Sequence, residues 1–80
     1  MTYPALKTAH SLVEVTSQGT QLELEDGSSW RVYEGFAGRC LAWSAGEMIR
    51  VKPNRNPDYP YLLINVHRNE QVEASWLDGR

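Results

Sequence analysis

The stretch LELEDGSSW, residues 22–30, alternates apolar and acidic side chains, turns at an Asp-Gly pair and then presents a tryptophan. Alternation of this kind is typical of a half-buried β-strand, and Asp-Gly is a common hairpin turn. A two-residue turn would place Leu22 and Trp30 on opposite faces, whereas a three-residue loop at 25–27 pairs them. The stretch therefore predicts a bulged hairpin with Gly27 in a left-handed conformation and Trp30 in the core.

From Ser11 onward, the chain consists of short alternating segments separated by Gly, Asn and Pro. This pattern is typical of an antiparallel β-meander. We predict strands at about 11–16, 20–25, 28–34, 39–44, 47–52, 61–67 and 71–77. One apolar face shared by six or seven short strands favours closure of the sheet. The sequence thus predicts an all-β fold, a small antiparallel meander rolled into an SH3-like or similar barrel.

The same parity argument assigns inner and outer side chains in the other hairpins, because apolar residues paired across a hairpin share a face. Gly46 and Asn69 suit left-handed positions in two of the loops. On this register Leu63, Tyr61 and Tyr33 face solvent. The predicted pairs are Val13 with Leu24, Val15 with Leu22, Leu41 with Ile49, Val66 with Val72, Ile64 with Ala74 and Leu62 with Trp76.

Length and composition indicate one folded domain over residues 1–80, since 41% of the residues are hydrophobic and 22% are charged. In the lead-in, residues 1–10, Thr2 and Pro4 favour one short helical turn. No apolar run approaches the ~18 residues of a membrane span, and the N-terminus shows no apolar signal segment. With Cys40 as the single cysteine, no disulfide can form within the chain. We expect a cytoplasmic protein without membrane association.

Catalytic and metal-binding motifs are not found in the sequence. Cys40 lies in an apolar segment, which favours a buried thiol over a thiol–imidazole pair with His10 or His67. The two histidines lack the close spacing of a metal site. Glu23 and Glu25 share the solvent face of a strand, where solvation explains them without acid–base chemistry. We therefore expect no enzyme activity, no catalytic residue, and no cofactor or metal.

Charge is unevenly distributed along the chain. The net charge of −2 gives no overall reason to expect nucleic acid or an anionic membrane as a partner. Residues 11–34 contain five acids and one base, a local charge of −4, whereas residues 39–55 contain four bases and one acid, a local charge of +3. Complementary patches of this kind suit self-association or docking to a partner protein.

A candidate binding surface follows the basic segment. The stretch PNRNPDYP, residues 53–60, contains three prolines, which exclude a strand and stiffen the connection. It is the longest polar connection, so we predict that it displays binding residues. The candidate binding residues are Arg50, Lys52, Arg55, Tyr59, Tyr61, Tyr33 and Leu63.

Two functions stay open for this surface. The first is a binding or adaptor module that docks to a protein partner or to a second copy as a homodimer, through an exposed apolar spot. The second is a barrel that binds single-stranded nucleic acid by pairing basic residues with exposed aromatic rings. The first is favoured, because three or four bases are few for nucleic acid and all three tryptophans point inward on the predicted register.

The layout LEDGSSW, then WSAGE before an apolar-basic strand, then YPYLLIN before a final strand resembles small bacterial all-β proteins of unassigned function. Such proteins occur as stand-alone reading frames and in integron gene cassettes. The resemblance covers about residues 11–78. It implies a small β-barrel-like fold and supplies no catalytic residue.

Overall fold

The computed structural model describes Tyr3 and residues 8–77. This part of the chain contains two 3-10 turns, at Ser17–Gly19 and Glu34–Phe36, and one short helix, α1 (Ala37–Leu41). The helical turn predicted at Thr2 and Pro4 lies outside the described residues. The strands are β1 (Ala9–Thr16), β2 (Gln21–Leu24), β3 (Ser29–Val32), β4 (Met48–Asn56), β5 (Tyr59–Asn65) and β6 (Glu70–Trp76).

The six strands hydrogen-bond to antiparallel neighbours in the closed order β1-β2-β3-β6-β5-β4. Two three-stranded meanders, β1–β3 and β4–β6, are therefore joined along β3–β6 and β1–β4. The helix α1 lies in the connection between the two meanders. Closure therefore gives every strand two hydrogen-bonded neighbours. The predicted all-β antiparallel barrel class is confirmed.

The hairpin of β2 and β3 has the predicted bulged turn. Leu22 pairs with Trp30, and Gly27 has a positive φ of 87°. Asp26 closes the turn, because its Oδ1 accepts the backbone N–H of Ser28 at 3.0 Å and the Ser28 hydroxyl at 2.6 Å. The same Ser28 oxygen accepts the indole N–H of Trp30 at 2.9 Å. Trp30 is thus buried with its polar atom satisfied.

A bulge in β1 changes the predicted pairing of the first hairpin. Val15 pairs with Leu22 as predicted, but the register shifts between Leu12 and Glu14, and Leu12 pairs with Leu24. An extra residue in one strand reverses the alternation beyond it. Leu12 is therefore buried, and Val13, which we predicted to face inward, is 44% exposed.

The strand predicted at 39–44 is wrong, because this segment contains the end of α1 and the turn that follows. Leu41 does not pair with Ile49 and is 59% exposed. Cys40 and Trp43 are buried instead. Their separation of three residues fits one face of a helical turn rather than a strand. The segment is too short for its pattern of apolar residues to distinguish a helix from a strand.

The prediction that residues 53–60 exclude a strand is also wrong. β4 continues to Asn56 and β5 begins at Tyr59, so a two-residue turn connects them. The register shifts between Pro53 and Asn56. A proline is tolerated beside such an irregularity because the ladder there does not need its missing N–H.

The register of β5 against β6 differs by three residues from the prediction, and a shift by an odd number of residues exchanges the two faces of β5. Leu63 pairs with Val72, and Tyr61 pairs with Ala74. Tyr61 is 8% exposed and Leu63 is completely buried, so the predicted outward positions of both are wrong. Leu62, Ile64 and Val66 were predicted to lie in the core, and this is also wrong. Their side chains face outward.

Asn65 explains why this register is stable although it buries a polar residue. The Oδ1 of Asn65 accepts the backbone N–H of His67 at 3.0 Å and of Arg68 at 3.2 Å, and so closes the turn before β6. Its Nδ2 donates to Glu47 Oε1 at 2.9 Å. Glu47 also accepts from the Nε of Arg68 at 3.0 Å. Asn69 has the predicted positive φ, 55°.

The core fills the interior of the ring and includes one residue of the lead-in. The ring of Tyr3 packs edge-on against Trp30 at 4.8 Å and against Trp76 at 5.4 Å between centroids. Its backbone N–H donates to the Tyr61 hydroxyl at 2.7 Å, and its own hydroxyl donates to Asp26. The buried apolar residues are Tyr3, Leu12, Leu22, Leu24, Trp30, Val32, Cys40, Trp43, Ile49, Val51, Tyr61, Leu63, Val72 and Ala74.

Candidate functional site

The outer surface of β5 is apolar along its length. Leu62 and Ile64 alternate with buried residues of β5, and Val66 continues the outward row just beyond the strand. Val66 is 47% exposed, and its N–H donates to the carbonyl of Met48 at 3.1 Å. Met48 lies on the outer side of β4, because its neighbour Ile49 is buried. An apolar row therefore runs along β5 and reaches β4.

Basic residues of β4 border this row on one side. Ile64 pairs with Arg50 and Leu62 pairs with Lys52 in the β4–β5 ladder. On the other side, the β6 partners of Ile64 and Leu62 are the polar residue Gln71 and the acidic residue Glu73. Arg50 and Lys52 are both exposed, as predicted. The β5 face comprises Met48, Arg50, Lys52, Leu62, Ile64 and Val66.

The wall of the ring opposite β5 is acidic. β2 is three strands from β5 in either direction around the closed order. On this wall, Glu14 of β1 lies directly opposite Glu23 of β2. Glu14 is exposed and Glu23 is half-buried, so this pair adds negative charge to the outer surface of the wall. The charge asymmetry of the sequence therefore becomes a spatial separation, with acidic side chains on one wall and basic side chains on the other.

The β4–β5 hairpin bends across β6 and reaches the end of β3. Asn56 Nδ2 donates to Glu73 Oε1 at 3.2 Å. The rings of Tyr59 and Tyr33 contact each other, with centroids 5.2 Å apart, and Tyr33 is 42% exposed. Arg55 is exposed in the bent part of the hairpin. The hairpin thus folds back onto the barrel and brings two predicted site residues together.

Two further residues extend this aromatic contact. The ring of Phe36 lies edge-on to Tyr33 at 5.9 Å, and the guanidinium of Arg39 lies 5.2 Å from the Phe36 centroid. The aromatic shelf comprises Tyr33, Phe36 and Tyr59. Neither Phe36 nor Arg39 was among the predicted site residues. The glycines on either side of Phe36 were the only signal for it, because they mark an irregular segment rather than a strand.

A cavity of about 310 Å³ lies beside the shelf. Sequence reasoning did not find this cavity, because it forms only where the bent hairpin approaches β3 and the 3-10 turn after it. The lining residues are Thr20, Arg31, Val32, Glu34 and Tyr59.

The seven predicted site residues are thus divided among three places. Arg50 and Lys52 belong to the β5 face, and Tyr33 and Tyr59 belong to the aromatic shelf. Arg55 is exposed in the same hairpin as Tyr59. Tyr61 and Leu63 lie in the core and do not take part in an exposed surface.

A polar cluster at the β2–β3 turn combines residue types that also occur in catalytic sites. His10 Nδ1 lies 2.6 Å from Glu25 Oε2, and its Nε2 lies 3.6 Å from Asp26 Oδ2. Burial opposes ionisation of Asp26, but hydrogen bonds from Ser28 and Tyr3 outweigh it and lower the pKa of this carboxyl. Because Glu25 and Asp26 lie against different nitrogens of the His10 ring, the three side chains do not converge on one metal ion. Within Tyr3 and residues 8–77, no group of side chains could hold a metal.

The Cys40 thiol is buried, as predicted, and is 0% exposed. Burial raises its pKa to about 12, against a smaller opposing effect of the Arg39 charge. Since the thiolate is the reactive form of cysteine, this thiol is unsuited to nucleophilic chemistry at neutral pH.

These features define a small all-β barrel with a charged and apolar outer surface. None of the helices in the described ranges is long and apolar enough to cross a membrane. No protein-family model matches the chain, and comparison with curated proteins and with solved structures gave no significant match.

Proposed function

We propose that the protein is a small protein-interaction module that docks through the β5 face. The observation that carries this proposal is that β5 presents apolar side chains both toward the core and toward the outer surface. Leu63 fills the core, while its neighbours Leu62 and Ile64 face outward. In an antiparallel sheet with one solvated face, that face is normally polar. A continuous apolar row on it is typical of an interaction site.

The charges beside the row indicate the chemistry of the partner. Arg50 and Lys52 favour a partner surface with acidic residues around an apolar centre. The wall carrying Glu14 and Glu23 is acidic, so a second copy of the chain supplies the complementary charge. Because the two walls lie on opposite sides of the barrel, charge complementarity favours a head-to-tail contact over a two-fold homodimer.

Sedimentation velocity tests this self-association over micromolar to millimolar protein concentration. We expect the wild type to sediment faster as its concentration rises, and Ile64→Glu to stay monomeric. Gly38→Glu is the matched control, since it adds the same charge on α1, which packs against the Ser17–Gly19 turn rather than against β5. A wild type that stays monomeric throughout, or an equal effect of both variants, would contradict self-association through this face.

Single-stranded nucleic acid is the second candidate partner, and the aromatic shelf is the observation that favours it. Exposed rings next to arginines are suited to stacking of unpaired bases. Arg39 lies beside Phe36 of this shelf, and Arg55 is exposed in the hairpin that carries Tyr59. The support is weaker than for a protein partner, because Tyr61 is in the core and the carboxylate of Glu34 follows Tyr33 directly.

Salt dependence distinguishes the two candidates. An NMR titration with a mixed-sequence single-stranded oligonucleotide would shift the amides of Tyr33 and Tyr59 if the shelf binds bases. Affinity that depends on phosphate contacts would fall steeply between roughly 50 and 200 mM salt. Docking through the apolar row of the β5 face would change much less over this range.

We also propose that this role is non-enzymatic and that the protein works in the cytoplasm. The burial and raised pKa of the Cys40 thiol support the first statement, because they leave no reactive thiolate at neutral pH. The presence of a single, unpaired cysteine supports the second. A free cysteine is common in a reducing compartment and rare in small secreted domains. Fractionation of cells that make the protein, followed by immunoblotting, measures its location, and recovery in the secreted fraction would contradict the proposal.

A further inference from the structure

We propose that the cavity beside the aromatic shelf binds a zwitterionic α-amino acid with an aromatic or large apolar side chain. This site is separate from the β5 face and goes beyond the protein-interaction function proposed above. Its volume of about 310 Å³ lies at the lower end of the range of small-molecule sites. The size therefore suits a metabolite of amino-acid size rather than a dinucleotide or a lipid.

Two opposite charges line the cavity without neutralising each other. Arg31 and Glu34 both contribute to the wall. Within the described part of the chain, neither side chain has an ion-pair partner. A guanidinium is a strong donor for a carboxylate, and a carboxylate accepts equally well from an ammonium group. The cavity thus presents one unpaired charge of each sign.

This charge pattern selects among classes of ligand. A simple anion would bind Arg31 but would be repelled by Glu34, and a simple cation would meet the reverse situation. A zwitterion satisfies both charges at once. The hydroxyl of Thr20 adds a third polar group, because it donates to the carbonyl of Ser17 at 2.7 Å and keeps its oxygen lone pairs available to an ammonium group.

Val32 and Tyr59 complete the lining of the cavity. Val32 is 2% exposed and offers little surface to a ligand, so the ring of Tyr59 is the remaining apolar contact. The Tyr59 ring is braced by its contact with Tyr33, and the Tyr59 carbonyl accepts the side-chain amide of Asn54 at 2.9 Å. A braced ring loses little entropy when a ligand packs on it, which favours an aromatic or large apolar side chain.

The test is a ¹⁵N-resolved NMR titration of the full chain with L-phenylalanine and two analogues that each lack one charge. N-acetyl-L-phenylalanine lacks the ammonium group, and L-phenylalaninamide lacks the carboxylate. We expect L-phenylalanine to shift amides around Arg31, Glu34 and Tyr59. We expect each analogue to bind about tenfold more weakly, as suits the loss of one charge-assisted contact.

Single substitutions assign each charge to its group on the ligand. Arg31→Gln should remove the preference for L-phenylalanine over its amide, and Glu34→Gln should remove the preference over the N-acetyl form. Asp58→Asn is the matched control, since Asp58 is an exposed carboxylate next to Tyr59 that does not line the cavity. We expect both preferences to persist in this variant.

Three results would overturn the proposal. The first is the absence of shifts at the cavity with all three compounds. The second is equal binding of the three compounds, which would show that the ring alone is recognised. The third is an equal loss of preference in Asp58→Asn, which would show a diffuse effect of charge. None of these results depends on whether the β5 face binds a protein.

Discussion

Ile64 lies directly opposite Arg50 in the β4–β5 ladder, and both side chains point away from the core. Cross-strand partners of this kind have Cβ atoms roughly 5 Å apart. A positive charge therefore stands at the border of an apolar row rather than at a distance from it. An apolar centre with a charged border is the usual composition of a protein interface.

The corrected register of β5 predicts opposite outcomes for two adjacent leucines. Leu63→Ala removes a completely buried side chain and should lower the free energy of unfolding by about 2–5 kcal/mol. Leu62→Ala truncates a side chain on the outer surface and should cost roughly 1 kcal/mol or less. Urea unfolding followed by tryptophan fluorescence measures both. A larger loss for Leu62→Ala would restore the register predicted from the sequence.

Three glycines should respond differently to substitution by alanine. Gly27 has a positive φ and open space around it, so Gly27→Ala should cost about 1 kcal/mol from backbone strain alone. Gly19→Ala should cost more, because its Cβ would also lie 2.2 Å from the Ala37 carbonyl oxygen. Gly38→Ala is the control within α1 and should stabilise the protein by up to about 1 kcal/mol. Thermal or urea unfolding ranks the three variants by their change in stability. Equal losses for Gly19→Ala and Gly27→Ala would contradict the close approach of Gly19 to the Ala37 carbonyl.

The carboxylate of Glu47 should make stability depend on pH in the acid range. Its hydrogen bond from Arg68, followed by those from Ser44 and Asn65, lowers its pKa from 4.5 to about 2. The folded state therefore binds this proton more weakly than the unfolded chain does. The resulting stabilisation is fully present above pH 4.5 and is lost as the pH falls through about 2.

Urea unfolding of the wild type and Glu47→Gln from pH 7 to about pH 2 measures this contribution. We expect the difference in unfolding free energy to be constant above pH 4.5 and to shrink below it. Glu34→Gln is the control, because Glu34 is exposed and has no ion-pair partner among the described residues. A difference for Glu47→Gln that does not vary with pH would contradict a lowered pKa of Glu47 in the folded protein.

The Cys40 thiol should react slowly with an aromatic disulfide reagent in the folded protein. Burial leaves little accessible sulfur and raises the pKa of the thiol to about 12, so little thiolate forms at neutral pH. We expect labelling to accelerate by orders of magnitude in urea. A Leu41→Cys variant on a Cys40→Ala background places a thiol at the adjacent exposed position and should react rapidly. Equal rates for the two thiols in the folded state would contradict the burial of Cys40.

The β2–β3 hairpin could be predicted from the sequence because only one face of each strand is apolar. In that case the pairing of Leu22 with Trp30 forces the loop length and the conformation of Gly27. The all-β class and the left-handed positions of Gly46 and Asn69 followed from the same kind of local argument. Closure of the sheet followed from the number of short strands.

The register of β5 could not be predicted in this way, because its side chains do not alternate between apolar and polar. Leu62, Leu63 and Ile64 are equally apolar, so both registers bury a row of large side chains. The choice depends on Asn65, whose side chain closes the following turn and bonds Glu47. That contact joins residues 18 positions apart and has no local signal.

The surfaces away from β5 were predictable only in part. Arg50 and Lys52 were correctly placed outside, since they alternate with the buried residues Ile49 and Val51. The aromatic shelf and the cavity depend on how far the β4–β5 hairpin bends across β6. That bend follows from the irregular register after Pro53, which the sequence suggested only as a break in the strand.

Site-specific photo-crosslinking at position 64 reports whether a partner docks on the β5 face. A benzophenone-bearing amino acid placed there, in cells that naturally make the protein, should form a covalent adduct of defined mass with the docked partner, be it a second copy or another protein. The same probe at position 38 on α1 should form no such adduct, and Arg50→Glu should weaken the adduct at 64. Absence of an adduct at 64, or the same adducts at 64 and 38, would contradict docking through the β5 face.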